Sequence, residues 1–286
     1  MIPNAKICLY PKDPAEAVRV LADHGPRALI LAGGTSAALS RDARVDTLVD
    51  LTRMGCDRIE RDGDDWEIGC NVRLTALVRH PGLRALAGGA LADAAAAVGS
   101  RAIRNAVTVA GNLVQLYRWS DTPVALLALD ARVDLLGPDG ARSLGIDELL
   151  ARHPRQVLAP AELVRAVRVP AIADRAGAFV KLARTEVDYS VVAAAVSLDR
   201  EGDRIAAARV VVGGARGRPF RATGAEQVLT GRRPGPARLA AAAVAARDET
   251  RAIPDARTSV AYRQRMVEVV VRRALQRALD RGEEGR

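Results

Sequence analysis

Near the N-terminus, a capped helix leads into a short apolar strand, and this order constrains the fold more than any other feature. Asp13-Pro14-Ala15-Glu16 supplies an N-cap acid, proline at the first helical position and Glu three residues after the cap. Ala28 to Ala32 is an uninterrupted apolar run, which predicts a buried parallel strand. Thr47 to Leu51 predicts a second buried strand. The chain up to Leu51 is therefore predicted to be βαβ-like.

The middle region mixes helices and strands. Its pattern predicts a strand at Trp66 to Gly69, helices at 75–80 and 83–98, and an irregular stretch at 100–120. A helix from Asp121 to Asp130, with Asp121 as N-cap, is predicted next. A hairpin that turns at 137–140 and a strand at Leu163 to Val169 follow. The irregular stretch separates two helices, and long irregular segments inside a compact domain are usually functional or disordered. Because this one is apolar, we expect it to be ordered.

Beyond residue 172 the pattern changes to alternating strands followed by helices. The strands are predicted at 177–183, 190–198 and 204–212, and the helices at 222–230, 236–249 and 258–280. We therefore expect an α+β fold. A two-part α/β domain, residues 1–172 with subdomains of about 1–55 and 56–172, precedes a domain of residues 173–286. The second domain is predicted to hold a three-stranded antiparallel sheet and a helix bundle.

The composition argues against several classes of protein. The formal charge is +9, but Arg residues spread along the chain carry nearly all of it, and aromatic residues make up only 3%, so a nucleic-acid surface is not predicted. No signal peptide and no membrane span are predicted. Cys8, Cys56 and Cys70 are widely spaced and odd in number, which favours reduced thiols in a cytoplasm. They are also too few to hold an iron–sulfur cluster alone.

A glycine-rich turn follows the first predicted strand. In Ala32-Gly33-Gly34-Thr35-Ser36, paired glycines leave backbone N–H groups uncovered, and the two hydroxyls add donors, which suits a pyrophosphate. The turn matches neither the GxGxxG nor the P-loop pattern. The alternative is a Gly-Gly turn that binds nothing.

The irregular stretch contains a second small-residue segment, Arg104 to Leu113. Facing the first turn, it could clamp a dinucleotide from the other side. The alternative is a connecting loop in which Asn112 caps a helix. His24, His80 and His153 show no metal-ligand spacing and are interpreted as structural.

These segments, taken in order, resemble the FAD-binding medium subunits of the molybdenum hydroxylase family, which include the carbon monoxide dehydrogenase flavoprotein and the FAD domain of xanthine dehydrogenase. The matching stretches are Ala32 to Ser36 for the family's AGGTD, Ile103 to Leu113 for IRN-x-x-T-[VI]-GGN-[LI], Asp121 for the aspartate that follows, Phe179 to Val192 through Lys181, Arg184 and Asp188, and the C-terminal Asp255, Arg257, Ser259, Tyr262-Arg263 and Arg272 to Leu275. They span nearly the whole chain.

The resemblance implies a vanillyl-alcohol-oxidase/PCMH-like FAD-binding fold and noncovalent FAD held by its pyrophosphate between the two segments. It implies that Asp121 bonds the ribityl chain and that Lys181 lies near the isoalloxazine, where a cation stabilises negative charge on the reduced ring. The implied cofactor-binding residues are Ile30, Leu31, Ala32, Gly33, Gly34, Thr35, Ser36, Ala37, Thr108, Ala110, Gly111, Asn112, Asp121 and Lys181. No catalytic side chain and no metal ligand is implied.

The resemblance also implies partners and a role. A large subunit with molybdenum cofactor would oxidise the substrate, and a small [2Fe-2S] subunit would pass electrons to this FAD, which would deliver them to NAD, a quinone or oxygen. Two alternatives stay open: a free-standing FAD-dependent oxidoreductase acting on a small molecule, and a scaffold subunit without flavin.

Three single residues and one four-residue segment depart from the family pattern. Ser36 replaces an acidic residue, Cys70 replaces Ala, and the segment 117–120 replaces a Pro-containing element. Ala110 replaces the first Gly of a pair, and its methyl is expected to crowd the pyrophosphate and weaken FAD binding. Arg118 is expected to offset this by pairing with phosphate. The alternative is a slight shift of the loop without effect on affinity.

Overall fold

The computed structural model describes residues 4–284, which form two compact units built from separate stretches of chain. The first unit comprises 4–74, Arg101–Gln115 and Ala131–Val169, and the second comprises Thr75–Ser100, Leu116–Asp130 and 170–284. The predicted domains, 1–172 and 173–286, divide the chain differently and stay a prediction. Their outermost residues, 1–3 and 285–286, lie outside the described residues.

The described residues form short strands and mostly short helices. The strands are β1 (Ile7–Leu9), β2 (Ala28–Leu31), β3 (Thr47–Asp50), β4 (Ile59–Asp62), β5 (Asp65–Gly69), β6 (Arg132–Gly137), β7 (Gly140–Gly145), β8 (Leu163–Pro170), β9 (Ala176–Leu182), β10 (Val192–Glu201), β11 (Arg204–Gly213) and β12 (Phe220–Arg221). The helices are α1 (Pro14–His24), α2 (Leu74–Arg79), α3 (Pro81–Ala85), α4 (Ala90–Ala96), α5 (Arg101–Ala106), α6 (Val109–Gln115), α7 (Thr122–Ala128), α8 (Ile146–Leu150), α9 (Pro154–Val157), α10 (Thr223–Leu229), α11 (Pro236–Glu249) and α12 (Val260–Glu284).

The first unit contains a small parallel sheet of order β1-β3-β2 and a five-stranded sheet of order β4-β5-β8-β6-β7. The capping signal before α1 is confirmed, because the Asp13 side chain accepts a hydrogen bond from the Glu16 N–H at 2.7 Å. Ala17, Val18 and Leu21 on one face of α1 pack into an apolar cluster that also contains Val49.

The prediction that Ala28 to Ala32 is a buried strand is only half right. The strand forms as β2, but it lies at the edge of its sheet, next to β3. No residue of β2 is fully buried, and Ile30 is 37% exposed. An uninterrupted apolar run predicts burial on both faces, but an edge strand has a neighbour on one side only.

The irregular stretch predicted at 100–120 is largely helical, which corrects the sequence interpretation. Helices α5 and α6 occupy most of it, and only a short break around Val107 and Thr108 separates them. Each is too short to show the repeat that identifies a longer helix. The helix predicted at 83–98 is broken instead, because Ala87, Gly88 and Gly89 all have positive φ.

The second unit is built on an antiparallel sheet of order β12-β11-β10-β9. It has four strands, not the three predicted, because the two-residue β12 is too short to show alternation. The strands predicted at 190–198 and 204–212 form β10 and β11, which are joined as a hairpin with Glu201 opposite Arg204 and Gly202 at φ 58°. Helices α10, α11 and α12 contribute apolar side chains to the same core as the sheet.

Candidate functional site

The glycine-rich turn leaves the end of β2 and carries free backbone donors. Gly34 has φ 73°, a left-handed conformation that favours glycine. Among the described residues, none accepts a hydrogen bond from the backbone N–H groups of Gly33, Gly34, Thr35 or Ser36. The chain is anchored after the turn, where Ala38 N–H bonds to the Gly34 carbonyl at 3.0 Å. The turn therefore carries four consecutive backbone N–H groups that have no acceptor among the described residues.

The turn and the second small-residue segment approach each other through Gly33. A Cβ atom at Gly33 would collide with the carbonyl group of Ala106, the last residue of α5. The Arg73 guanidinium donates a hydrogen bond to that same carbonyl. Only glycine at position 33 allows the turn to pack this closely against Ala106. The first unit therefore brings the glycine-rich turn and the second small-residue segment together.

The second segment forms the start of α6. Thr108 is buried, and its hydroxyl oxygen accepts a hydrogen bond from the Gly111 N–H at 3.1 Å. The Ala110 N–H bonds to the Cys70 carbonyl at 3.3 Å. The Oδ1 atom of Asn112 is buried and has no hydrogen-bond partner among the described residues. Since a buried acceptor without a donor costs free energy, Asn112 is suited to accept a hydrogen bond from a ligand.

Asp121 and Lys181 lie together in the second unit, where Lys181 Nζ is 3.2 Å from Asp121 Oδ2. Ser190 donates a hydrogen bond to Asp121 Oδ1, and Lys181 Nζ donates to the Ala97 carbonyl at 2.7 Å. Asp121 is 3% exposed, and burial raises its pKa to about 6 against the opposing effects of Lys181 and Ser190. Asp121 is the N-cap residue of α7, as predicted, but its side chain makes no capping bond to that helix.

Ser190 is a site residue that the sequence did not predict. It is fully buried and holds the Asp121 carboxylate. The available signal was a hydroxyl residue directly before the apolar run of β10. Lys181 is largely buried, with a side chain only 10% exposed.

The segment 117–120, which differs from the family pattern, contributes to an aromatic stack in the second unit. Tyr117 and Trp119 are stacked with ring centroids 5.3 Å apart, and the Trp119 ring centroid lies 4.7 Å from that of Tyr189. Arg118 lies 3.4 Å from Asp255 and donates to backbone carbonyls of the same unit. Its guanidinium is therefore already engaged.

Helix length and the grouping of possible metal ligands also bear on function. Across residues 4–284, no helix is both long and apolar enough to cross a membrane. Within the same residues, no group of three or more His, Cys, Asp or Glu side chains is placed to hold a metal ion.

Both halves of the chain match known protein families. Residues 4–172 match the FAD binding domain in molybdopterin dehydrogenase, and residues 177–278 match the CO dehydrogenase flavoprotein C-terminal domain. The 6-hydroxypseudooxynicotine dehydrogenase complex subunit alpha of Paenarthrobacter nicotinovorans is 34% identical over 93% of this chain and 91% of its own length. The carbon monoxide dehydrogenase medium chain of Afipia carboxidovorans is 31% identical over 97% of this chain and 98% of its own.

A solved structure agrees with these relatives. A chain of carbon monoxide dehydrogenase from Hydrogenophaga pseudoflava superposes with a TM-score of 0.92 and 29% identity, covering 98% of this chain and 99% of that chain. The matches cover almost the full length on both sides. The chain belongs to the family of FAD-binding medium subunits of molybdenum hydroxylases.

Proposed function

We propose that the Ala32–Ala37 turn and the start of α6 hold the FAD pyrophosphate in this chain. The observation that carries the proposal is the row of backbone N–H groups from Gly33 to Ser36 that no described residue accepts. Backbone N–H groups turned outward at a glycine-rich turn are favourable anion donors. The unpartnered Oδ1 of Asn112 supplies an acceptor in the same unit. Donors and acceptor together fit a dinucleotide, which carries phosphate oxygens and hydroxyl groups.

We assign the remaining predicted site residues by the same reasoning. Ile30 and Leu31, which stay partly exposed at the end of β2, supply apolar contact, and Thr108 fixes the segment through Gly111. Asp121 supplies a carboxylate for the ribityl hydroxyls and keeps the Lys181 ammonium in place. Lys181 supplies the positive charge near the isoalloxazine. When bound, FAD accepts electrons and passes them on.

We place the chain in a complex with a large molybdenum-cofactor subunit and a small [2Fe-2S] subunit. Three cysteines cannot hold a cluster alone, and the relatives of this chain include a subunit of a dehydrogenase complex and a medium chain. We therefore propose that electrons reach this chain from a partner's cluster. An external acceptor, either NAD, a quinone or oxygen, then receives them. None of the assigned side chains breaks bonds of the organic substrate. Their role is to bind and orient the cofactor.

The experiment is a titration of FAD into the flavin-free chain, comparing wild type with Asn112→Ala and Gln115→Ala. Both residues lie on α6, but only Asn112 is assigned to the site. The loss of one hydrogen bond is worth about 0.5–1.5 kcal/mol, which is roughly a two- to tenfold rise in Kd by the affinity relation. We expect that rise for Asn112→Ala and unchanged affinity for Gln115→Ala. Equal affinities in all three proteins would contradict the site assignment.

A further inference from the structure

Cys56 and Cys70 are held side by side in the first unit. Cys56 precedes β4, and Cys70 directly follows β5. The Asn71 N–H donates to the Cys56 carbonyl at 2.8 Å. A Cβ atom at Gly69 would collide with the same carbonyl. The two cysteine-bearing segments are therefore joined tightly by their backbones.

The two side chains also meet. Both pack in the apolar cluster around α1, with Cys70 buried and Cys56 partly exposed. The two thiols are close enough to affect each other's ionisation, and the Cys56 thiol also donates a hydrogen bond to the Met54 carbonyl at 3.7 Å. The third cysteine, Cys8, is exposed on β1. The chain therefore has one contacting pair of thiols and one separate thiol that serves as an internal comparison.

The environment makes the two thiols chemically unequal. The interaction with the neighbouring Cys70 side chain lowers the pKa of Cys56 to about 7, and the nearby Arg165 guanidinium acts in the same direction. The contact with Cys56, together with burial, raises the pKa of Cys70 well above its usual range. Because the thiolate is the nucleophile, Cys56 is the attacking group at neutral pH, and Cys70 stays a thiol that can resolve its oxidised product.

We propose that Cys56 and Cys70 are an oxidisable dithiol that a hydroperoxide converts to an intramolecular disulfide. The Cys56 thiolate attacks one peroxide oxygen, so that an S–O bond forms, the O–O bond breaks and hydroxide leaves. The Cys70 sulfur then attacks the sulfenic sulfur, forming the S–S bond and breaking the S–O bond. The Cys70 proton leaves with that oxygen as water. Two thiols lose two electrons, and hydrogen peroxide is reduced to two waters.

The position of the pair gives the modification a consequence for the structure. The Cys70 carbonyl accepts the Ala110 N–H, and the Cys70 N–H donates to the Arg165 carbonyl at 3.0 Å. Cys70 is thus one of two residues to which the start of α6 is tied, the other being Val72, whose carbonyl accepts the Val109 N–H at 2.9 Å. A disulfide at Cys70 would be formed directly beside that attachment.

The test treats the full chain, purified with its native partners, with hydrogen peroxide and then alkylates it under denaturing conditions. We expect wild type and Cys8→Ser to lose two alkylatable thiols, to yield a Cys56–Cys70 cross-linked peptide, and to recover both thiols with dithiothreitol. The rate should rise with pH through about 7, as Cys56 ionises. Cys70→Ser should instead accumulate a sulfenic acid at Cys56 that dimedone traps.

Three results would overturn the proposal. The first is wild type that keeps all three thiols after peroxide treatment. The second is a cross-link that includes Cys8. The third is a Cys56→Ser variant that loses thiols as fast as wild type. The first of these results is measured on the wild-type chain. The proposal can therefore be tested even if a variant fails to fold.

Discussion

Asp121 is a carboxyl group placed almost entirely out of contact with water. Burial raises its pKa from 3.8 to about 6 in the folded chain, so the folded state binds a proton more tightly than the unfolded state. Because the pKa of Asp121 is higher in the folded chain, the free energy of unfolding rises as the pH falls through that folded pKa. This gain in stability is lost at pH values above the folded pKa. The group therefore contributes to stability at about pH 5 and not at about pH 7.5.

Replacing Asp121 with Asn should remove this pH-dependent contribution. From the rise of the Asp121 pKa to about 6, we expect wild type to gain about 1 kcal/mol relative to Asp121→Asn when the pH falls from about 7.5 to about 5. Denaturant unfolding at both pH values measures the difference. Asp139→Asn, at an exposed turn residue, is the control and should track wild type. A wild-type advantage that stays constant between the two pH values would contradict the burial argument.

A substitution at Gly34 tests whether the backbone N–H groups of the turn bind the flavin. Gly34→Val should abolish flavin retention, because a branched side chain covers the N–H groups of the turn. Gly63→Val is a matched control, since Gly63 also has positive φ, 58° against 73°, but turns the β4–β5 hairpin. Strain from a left-handed residue costs about 1–3 kcal/mol in either variant. Flavin measured after purification should be lost only with Gly34→Val, and retention by both would count against the site.

At the scale of elements, the structure changes the expectation for Ala110. Ala110 lies in α6 and packs against the apolar cluster that contains Cys70, so its side chain has a structural role. Ala110→Gly should therefore lower the free energy of unfolding by about 1 kcal/mol, the usual helix cost of glycine. It should leave the FAD Kd within about twofold, roughly 0.4 kcal/mol by the affinity relation. Markedly tighter binding would restore the first expectation, that the methyl crowds the phosphate.

The sequence predicted most helices and strands, but it did not predict the burial of β2 or the two short helices α5 and α6. The capped helix α1, the hairpin of β10 and β11, and the long C-terminal helix were evident because caps, turn residues and repeats are local signals. The half-exposed β2 was not, since an edge position depends on which strands pair. Helices α5 and α6 were missed because so few residues show no clear period.

The sequence predicted candidate site residues but not the hydrogen bonds that these residues make. The turn at Gly33 and the segment at Asn112 were identified from small residues in a family pattern, and the first unit does bring them together. The partners of Asp121 were not predictable. Ser190 is 69 residues from Asp121 in the sequence, and only the fold of the second unit joins them.

At the scale of the whole molecule, the relatives point to a multi-subunit enzyme. The Afipia carboxidovorans protein is named as a medium chain, and the Paenarthrobacter nicotinovorans protein as a subunit of a complex. Co-expression with neighbouring large and small subunit genes should give one species by gel filtration that contains molybdenum, iron and flavin. A monomer that oxidises a small molecule alone would favour the free-standing enzyme. A cytoplasmic location stays a prediction.

The most direct test of the central claim, that this chain is an FAD-binding medium subunit, is the identity of the cofactor that it releases. Heat should release the flavin from the full chain expressed with its partners, because neither the Ala32–Ala37 turn nor the Thr108–Asn112 segment contains a His or Cys for a covalent link. Chromatography should identify the released compound as FAD, in a one-to-one ratio with the chain. Release of FMN, or the absence of flavin from the heat extract of the assembled complex, would contradict the account.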